Sequence, residues 1–587
     1  NALPYGFVAR SRRQTHVSTR AVPIPVQQGV RGGVGLRVKA RVNPIRALPG
    51  KAARLLDWRR RRNQVRRAPI AHKACRPCVG EPVHLRSDHP ATRHQSDLSG
   101  EGTLLRQRQR VLTEAASAVL ASVLPGQQQA RRSDMDALLG ADSEALTGLP
   151  PSTRIACMAA VVWARLHSGQ HSSALAFIEK RVLAGLRNVA AEMTPSTQST
   201  CYSIIAECYL LNGYLAEGLH CAEQAFDYAI EARDIGCEFR ALSLRSLGFS
   251  LNGEIAQAEP LAEAASALSA ERGWVAGSSF CSLSSALILI GARRTDGEAL
   301  RRIVAERADY CCDPLERTIT RLGHVIDLLL RAEFEQTVAS ARALTHSADA
   351  TACSPFILDL AAGVEGMALI HLGEPARALS LVGRRRPLPG HAQCLAGVRA
   401  SAHLLQGDAR AALRATDECV NPSTEHSVGS LPGVLLRRAL AHDLLGNRAA
   451  ADADFSKAMH LAHTVGPVTP ALGVSRSRVK GLLERLAVNE VEFHRVVVDH
   501  LPRSVTLTDI EPSGPSRVRL TEREAVVARR LASGLTFPAI AAELQLSVNT
   551  VKSQSRSIYR KLNVSSRWDA VAQLEQSGFY DEAELAV

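Results

Sequence analysis

Aromatic residues are scarce in this chain, 4% of 587, against 46% hydrophobic residues overall. Apolar bulk carried by Ala and Leu rather than by rings suits packed helices, so an all-α fold is expected. No apolar run approaches the roughly 18 residues that a bilayer span needs. No apolar core follows the first basic residues, as it would in a secretory leader. A cytoplasmic protein with no membrane partner is therefore expected. The 13 cysteines are scattered, with Cys311 and Cys312 adjacent. Without a paired framework they read as small buried hydrophobes in a reducing compartment.

Signatures of catalysis are missing as well. A phosphate-cradling loop needs GxxxxGK and then Ser or Thr. Here Gly50-Lys51 is followed by Ala52, and Ile45 stands where the first glycine belongs. Neither GxSxG nor HExxH occurs. No enzyme activity and no cofactor are expected. His72, Cys75, Cys78 and His84 invite a zinc reading, but only five residues separate Cys78 from His84. Finger spacings place about 12 there, so no metal is expected.

Positive charge is unevenly spread. The net charge is +14, yet residues 1–100 hold 21 Lys and Arg against 4 Asp and Glu, which leaves a net of −3 for the rest. Whole-chain charge is thus weak evidence for nucleic acid. The 1–100 segment, rich in Arg, Pro, Val and Gly and including the run Arg59–Arg62, is expected to be disordered. Helical pattern begins abruptly near Leu104 and the chain opens on Asn1, so part of the segment is expected to be a truncation or reading-frame artefact. The alternative is a basic arm that adds nonspecific affinity for DNA by counterion release.

Residues 101–490 read as an α-solenoid. An apolar helix, a small turn residue and an Ala/Leu-rich helix recur, with turn positions at Gly169, Gly213, Gly253, Gly291, Ala332, Gly373, Gly407 and Gly446. Their spacings of 44, 40, 38, 41, 41, 34 and 39 centre near forty, the mark of stacked helix pairs. Such an array offers a concave face to a protein or small-molecule effector, which the sequence does not name. Tyr209, Tyr214, Phe226 and Tyr228 could line that face or pack between repeats. Residues 491–516, broken by Pro512, Gly514 and Pro515, read as a linker.

Residues 517–587 carry the clearest signals. Thr521 and Glu524 form a capping box ahead of an apolar run, and Gly534 is placed to stop that helix in a left-handed turn. Thr536 can cap a second helix with Pro538 in its first turn, from which Ile540 and Leu544 face inward. Ser547 can cap a third helix to about Leu562, buried through Val551, Ile558 and Leu562. Lys552, Arg556 and Arg560 then share the opposite face, four residues apart, with Asn549 and Ser553 beside them. Lys552 and Arg556 suit guanine edges or phosphates, while Arg560 and Lys561 suit backbone. From Arg517 to Tyr580 there are ten Lys and Arg against five Asp and Glu. Ser565 is expected to cap a fourth helix through Ala570, Val571 and Leu574.

With LTERE, Gly534, IAAEL, S-x-NTVK, IYRKL and VSSR in order, the segment resembles the LuxR-type helix-turn-helix domain. The resemblance implies that Thr550, Lys552, Ser553 and Arg556 are principal contacts to double-stranded DNA. It also implies that the helix after Ser565 helps to form a homodimer. Gln554 stands where the family often has His, Phe537-Pro538-Ala539 replaces a usually polar triplet, and Ser555 is polar where an apolar residue is frequent. The array resembles tetratricopeptide-type repeats and is similar to the sensor region of MalT-like regulators, which generally carry an ATPase module ahead of their repeats. The expected function is a sequence-specific transcription regulator whose repeats sense an effector or partner. The alternative is a helical-repeat interaction scaffold with a weakened or lost DNA-binding domain.

Overall fold

The computed structural model describes residues 100–486 and 520–580, apart from gaps at 128–129, 275–277, 295, 309–313, 348, 351–352, 384, 392, 422–423, 466–473, 475, 563, 565 and 577–578. Residues 1–99, the linker at 491–516, Arg517 and the Cys311-Cys312 pair lie outside the described residues, as does the His72–His84 motif. Among the described residues the chain is all-α, and no strand occurs.

The repeat region begins with α1 (Gly100–Ser122), α2 (Arg132–Leu139) and α3 (Ser143–Thr147). Helix pairs follow. The first is α4 (Pro151–His167) with α5 (His171–Phe177), which runs through a π turn into α6 (Leu183–Val189). Next come α7 (Pro195–Leu211) with α8 (Leu215–Ala232), α9 (Ile235–Asn252) with α10 (Ile255–Arg272), and α11 (Cys281–Arg294) with α12 (Gly297–Ala308). The array continues with α13 (Pro314–Leu330) and α14 (Phe334–Thr345), α15 (Pro355–His371) and α16 (Pro375–Val382), α17 (Leu395–Leu405) and α18 (Ala409–Arg414), and α19 (Leu431–Leu444) and α20 (Arg448–Val465). Helix α21 (Arg476–Leu486) closes the run. The C-terminal unit is α22 (Glu522–Leu531), α23 (Phe537–Glu543), α24 (Val548–Leu562) and α25 (Arg567–Gln576).

One turn chemistry joins most pairs. Gly169, Gly213, Gly253, Gly373, Gly407 and Gly446 all have positive φ, and Ala332 takes the same place at φ 59°. The next residue's N–H reaches back to a carbonyl of the preceding helix, as from Tyr214 to Tyr209 at 3.0 Å and from Glu254 to Phe249 at 2.9 Å. That bond satisfies a carbonyl which the helix end would otherwise leave open. Gly253 is also sterically obligatory, because a Cβ there would lie 2.3 Å from the Gly429 Cα. The expectation fails at Gly291, which is a buried residue inside α11. Its missing side chain instead admits Leu300 of α12, whose Cδ2 would sit 3.2 Å from a Cβ. Small size at this position serves helix contact, and the turn falls later in the chain.

The array's core is aliphatic, built from residues such as Leu120, Ile204, Leu210, Leu244 and Leu322. It also buries charged groups, among them a network built on one arginine. Arg240 of α9 pairs with Glu207 of α7 and donates to the Ser279 carbonyl at 3.2 Å and to Ser282 Oγ at 3.3 Å. Ser282 in turn donates to the other Glu207 oxygen at 3.0 Å. The guanidinium lies 5.2 Å from the Trp163 ring centroid, so this group spans four successive pairs. The tyrosines pack: Tyr209 and Tyr214 meet edge-on at 5.9 Å, Tyr228 stacks on Tyr202 at 5.7 Å, and Phe226 lies under Arg245. The nine described cysteines are all buried, as small hydrophobes would be. Burial pushes the Cys201 and Cys237 thiols up to about 12.

Candidate nucleic-acid interface

Three of the four cap signals of the C-terminal unit are realised. Thr521 Oγ1 accepts from the Glu524 N–H at 3.3 Å, while the Glu524 carboxylate accepts from the Thr521 N–H at 2.7 Å. Thr536 caps α23 through the Ala539 N–H, with Pro538 in the first turn. Ser547 caps α24 by accepting from the Thr550 N–H at 3.0 Å. Gly534 turns the chain at φ 75°. The fourth helix is capped by Ser566, which accepts from the Asp569 N–H at 3.1 Å. Ser565, expected there, lies outside the described residues.

These helices enclose a small core of Val527, Leu531, Ile540, Val551, Ile558, Leu562, Ala570 and Leu574. Leu544 is half-buried against it. Ser555 also turns inward, 1% exposed, and its hydroxyl has no hydrogen-bond partner among the described residues.

With Val551, Ser555, Ile558 and Leu562 buried, helical geometry directs Asn549, Lys552, Ser553, Arg556 and Arg560 outward. At about 100° per residue the five fall within roughly a third of the circumference. All five are exposed. Among the described residues, Lys552, Arg556 and Arg560 meet no carboxylate. Ser547 and Thr550 share a hydroxyl contact of 2.7 Å, and Ser553 Oγ donates to the Thr550 carbonyl at 3.0 Å. Their hydroxyls therefore shape the N-terminal end of the face while keeping acceptor capacity.

Lys561 stands apart from this face. It lies about 100° around the helix from Arg560, and its Nζ meets a Glu524 carboxylate oxygen at 2.5 Å. The other Glu524 oxygen accepts from Ser557 Oγ at 2.8 Å. Glu524 is 4% exposed. Burial alone would raise its carboxyl, but donation from Lys561, the Thr521 N–H, Ser557 and the Thr521 hydroxyl lowers it to about 2. The capping residue of α22 thus also fixes the orientation of α24.

A second brace was not read from the sequence. Arg567 donates through Nε and Nη2 to the Leu531 carbonyl at 2.8 and 2.6 Å, and through Nη1 to the Leu535 carbonyl at 2.5 Å. One guanidinium thereby satisfies the open C-terminal end of α22. Its only local trace was the arginine of VSSR. Among the described residues of this unit no group of metal-ligating side chains occurs.

A short helix, a tight turn and a capped helix with a solvent-facing basic stripe form a helix-turn-helix arrangement, the kind of unit whose second helix enters a major groove. Residues 518–574 match the family described as bacterial regulatory proteins, luxR family, so the C-terminal unit is a LuxR-type helix-turn-helix domain. The transcriptional regulatory protein YdfI of Bacillus subtilis is 44% identical over 63 residues, 11% of this chain and 30% of that protein. A probable transcriptional regulatory protein NarL of Mycobacterium tuberculosis is 44% identical over 62 residues, 11% of this chain and 29% of that protein. The HTH-type transcriptional regulator MalT of Vibrio cholerae is 28% identical over 127 residues, 21% of this chain and 14% of that protein. The chain thus spans under a third of the length of each of these relatives. Among the described residues no helix is long and apolar enough to cross a membrane.

Proposed function

We propose that this protein is a cytoplasmic, sequence-specific transcription regulator that binds double-stranded DNA as a homodimer and answers to an effector or partner at its repeat array. The observation that carries this reading is the outward face of α24, where Lys552, Arg556 and Arg560 project together with no carboxylate neighbour among the described residues. Lys552 and Arg556 read base edges or phosphates, with Asn549, Thr550 and Ser553 beside them and Ser547 fixing the helix start. Arg560 grips phosphate. Lys561 acts chiefly by holding Glu524, and contributes to DNA through the angle of the recognition helix.

Dimerisation uses α25, on which Trp568 is 80% exposed beside exposed Asp569, Ala572 and Gln573. Two such domains placed one duplex turn apart would read a two-fold operator. Effector sensing draws support from a cavity of about 190 Å³ in the array, lined in part by Phe356, Met367, Arg293 and Arg437. Burial lowers both arginines to about 10 while leaving them charged at neutral pH. An effector that favours one arrangement of the dimer would shift its population.

The test is an equilibrium titration of the full chain on its operator as a function of salt. Lys552→Ala is expected to weaken specific binding by about 1–3 kcal/mol and to relax one base position. Unchanged affinity and specificity would remove Lys552 from the interface.

A further inference from the structure

Four metal-ligating side chains that are distant in sequence meet at one place in the array. His391 precedes α17, Cys394 stands at its N-terminus, Cys419 lies in the short 3-10 turn Glu418–Val420 after α18, and His426 lies in the loop before α19. One ligand atom from each falls within 4.8 Å of all the others. The two sulfurs are 3.5 Å apart, and Cys419 Sγ lies 3.8 Å from His391 Nδ1. Tetrahedral zinc with two thiolates and two imidazoles requires roughly 3.8 Å between sulfurs and roughly 3.6 Å between sulfur and nitrogen.

The orientation of His426 supplies an independent sign. Its Nδ1 lies 2.9 Å from the Ser427 carbonyl, so this nitrogen carries the proton and the Nε2 lone pair is left available. That Nε2 is buried and has no hydrogen-bond partner among the described residues. A ligating histidine characteristically fixes its tautomer by such a bond to a backbone carbonyl. A merely packed histidine would leave a buried acceptor unsatisfied, which is disfavoured.

We propose that His391, Cys394, Cys419 and His426 form a closed four-ligand zinc site that fastens the loop before α17 to the loop before α19. Both cysteines bind as thiolates, releasing two protons to solvent, and two negative sulfurs then balance the dication. The site ties together more than its own loops. Ser427 N–H donates to the Gly390 carbonyl at 2.7 Å, Ser430 Oγ donates to the His391 carbonyl at 3.0 Å, and Gly429 N–H donates to the Asn252 carbonyl at 2.8 Å. The metal therefore pins the surface on which the turn after α9 rests. Cys394 and Ser430 also line the cavity that holds Arg293 and Arg437, so occupancy bears on the shape of that cavity. The 24 residues between Cys394 and Cys419 hide the group from any local motif.

The experiment uses the full chain, purified under reducing conditions with zinc and analysed by elemental mass spectrometry, with cobalt(II) as an optical probe. About one zinc per chain is expected for the unaltered protein and for Cys208→Ser, whose thiol lies elsewhere in the core. Cys419→Ser and His426→Ala are each expected to lose the metal while keeping their helical circular dichroism. Cobalt should give tetrahedral ligand-field bands with thiolate charge transfer, both lost in the same variants. Chelation should lower the array's melting temperature in the unaltered protein but not in His426→Ala. If Cys419→Ser fails to fold, His426→Ala and the cobalt spectrum of the unaltered chain still decide. Absence of stoichiometric zinc, metal binding by the variants equal to the unaltered chain, or a Cys394–Cys419 disulfide in place of metal would overturn the proposal.

Discussion

The repeat array and the C-terminal domain each bury a carboxylate against a cation, with different consequences. In the array, Glu207 and Arg240 are both essentially sealed from solvent, and their partners come from four successive helix pairs. In the C-terminal domain, Glu524 is buried but Lys561 remains about a third exposed, and one partner, Thr521, is only three residues away. The first arrangement joins repeats that could otherwise slide past one another. The second links a helix cap to the helix that carries the basic face. Removing the partner of a fully buried charge leaves it unsolvated, whereas a half-exposed pair can recruit water.

The largest expected effect follows directly. Arg240→Ala should destabilise the array by about 3–5 kcal/mol, because Glu207 would be left buried and unpaired. Denaturant unfolding of the full chain, followed by probes in each region, should show the array transition shifting while the C-terminal one stays. Replacing both residues together, Glu207→Leu with Arg240→Met, should recover most of the loss. Equal damage from the single and the double change would mean that the pair is not a coupled unit.

A smaller loss is expected at the other carboxylate. Glu524→Ala removes half of the capping box and the anchor of Lys561, at about 1–2 kcal/mol. The pH dependence has a definite sign. Because the folded carboxyl is lowered to about 2 from its ordinary 4.5, its contribution is present above pH 4.5 and fades as pH falls towards 2. Acid titration of the C-terminal transition should show this loss, and Glu524→Gln should abolish that part of it. An identical acid profile in Glu524→Gln would assign the pH dependence to other groups.

The smallest effect tests the turn before the recognition helix. Gln545 holds φ 52° between α23 and α24, where a glycine would carry no steric penalty. Gln545→Gly should stabilise the C-terminal domain by about 0.5–1 kcal/mol and leave the array's melting unchanged. Destabilisation would show that the glutamine side chain supports the turn.

The same contrast explains how far the sequence could be read. Thr521, Thr536 and Ser547 announce helix starts because each cap satisfies an N–H within three residues, and the structure has them as read. Gly213 or Gly407 announces a turn because positive φ is a property of one residue. Gly291 misleads, since a glycine also serves where two helices approach, and nothing local distinguishes the two uses. Lys561 looked like a neighbour of Arg560 until Glu524 was folded against it. Arg567 reaches back more than thirty residues to the end of α22, and Arg240 finds Ser282 of the next helix pair, 42 residues on. The histidines and cysteines at 391–426 were invisible for the same reason, while the compact motif at His72–His84 drew attention by its spacing alone.

The most direct test of the regulator reading is a selection from random duplex DNA with the full chain, run beside the Lys552→Ala/Arg556→Ala double variant across a range of salt. The account predicts enrichment of a two-fold motif with half-sites about one helical turn apart, lost in the double variant. Weak binding without a motif, equally abolished by modest salt in both proteins, would contradict it and favour the interaction-scaffold reading.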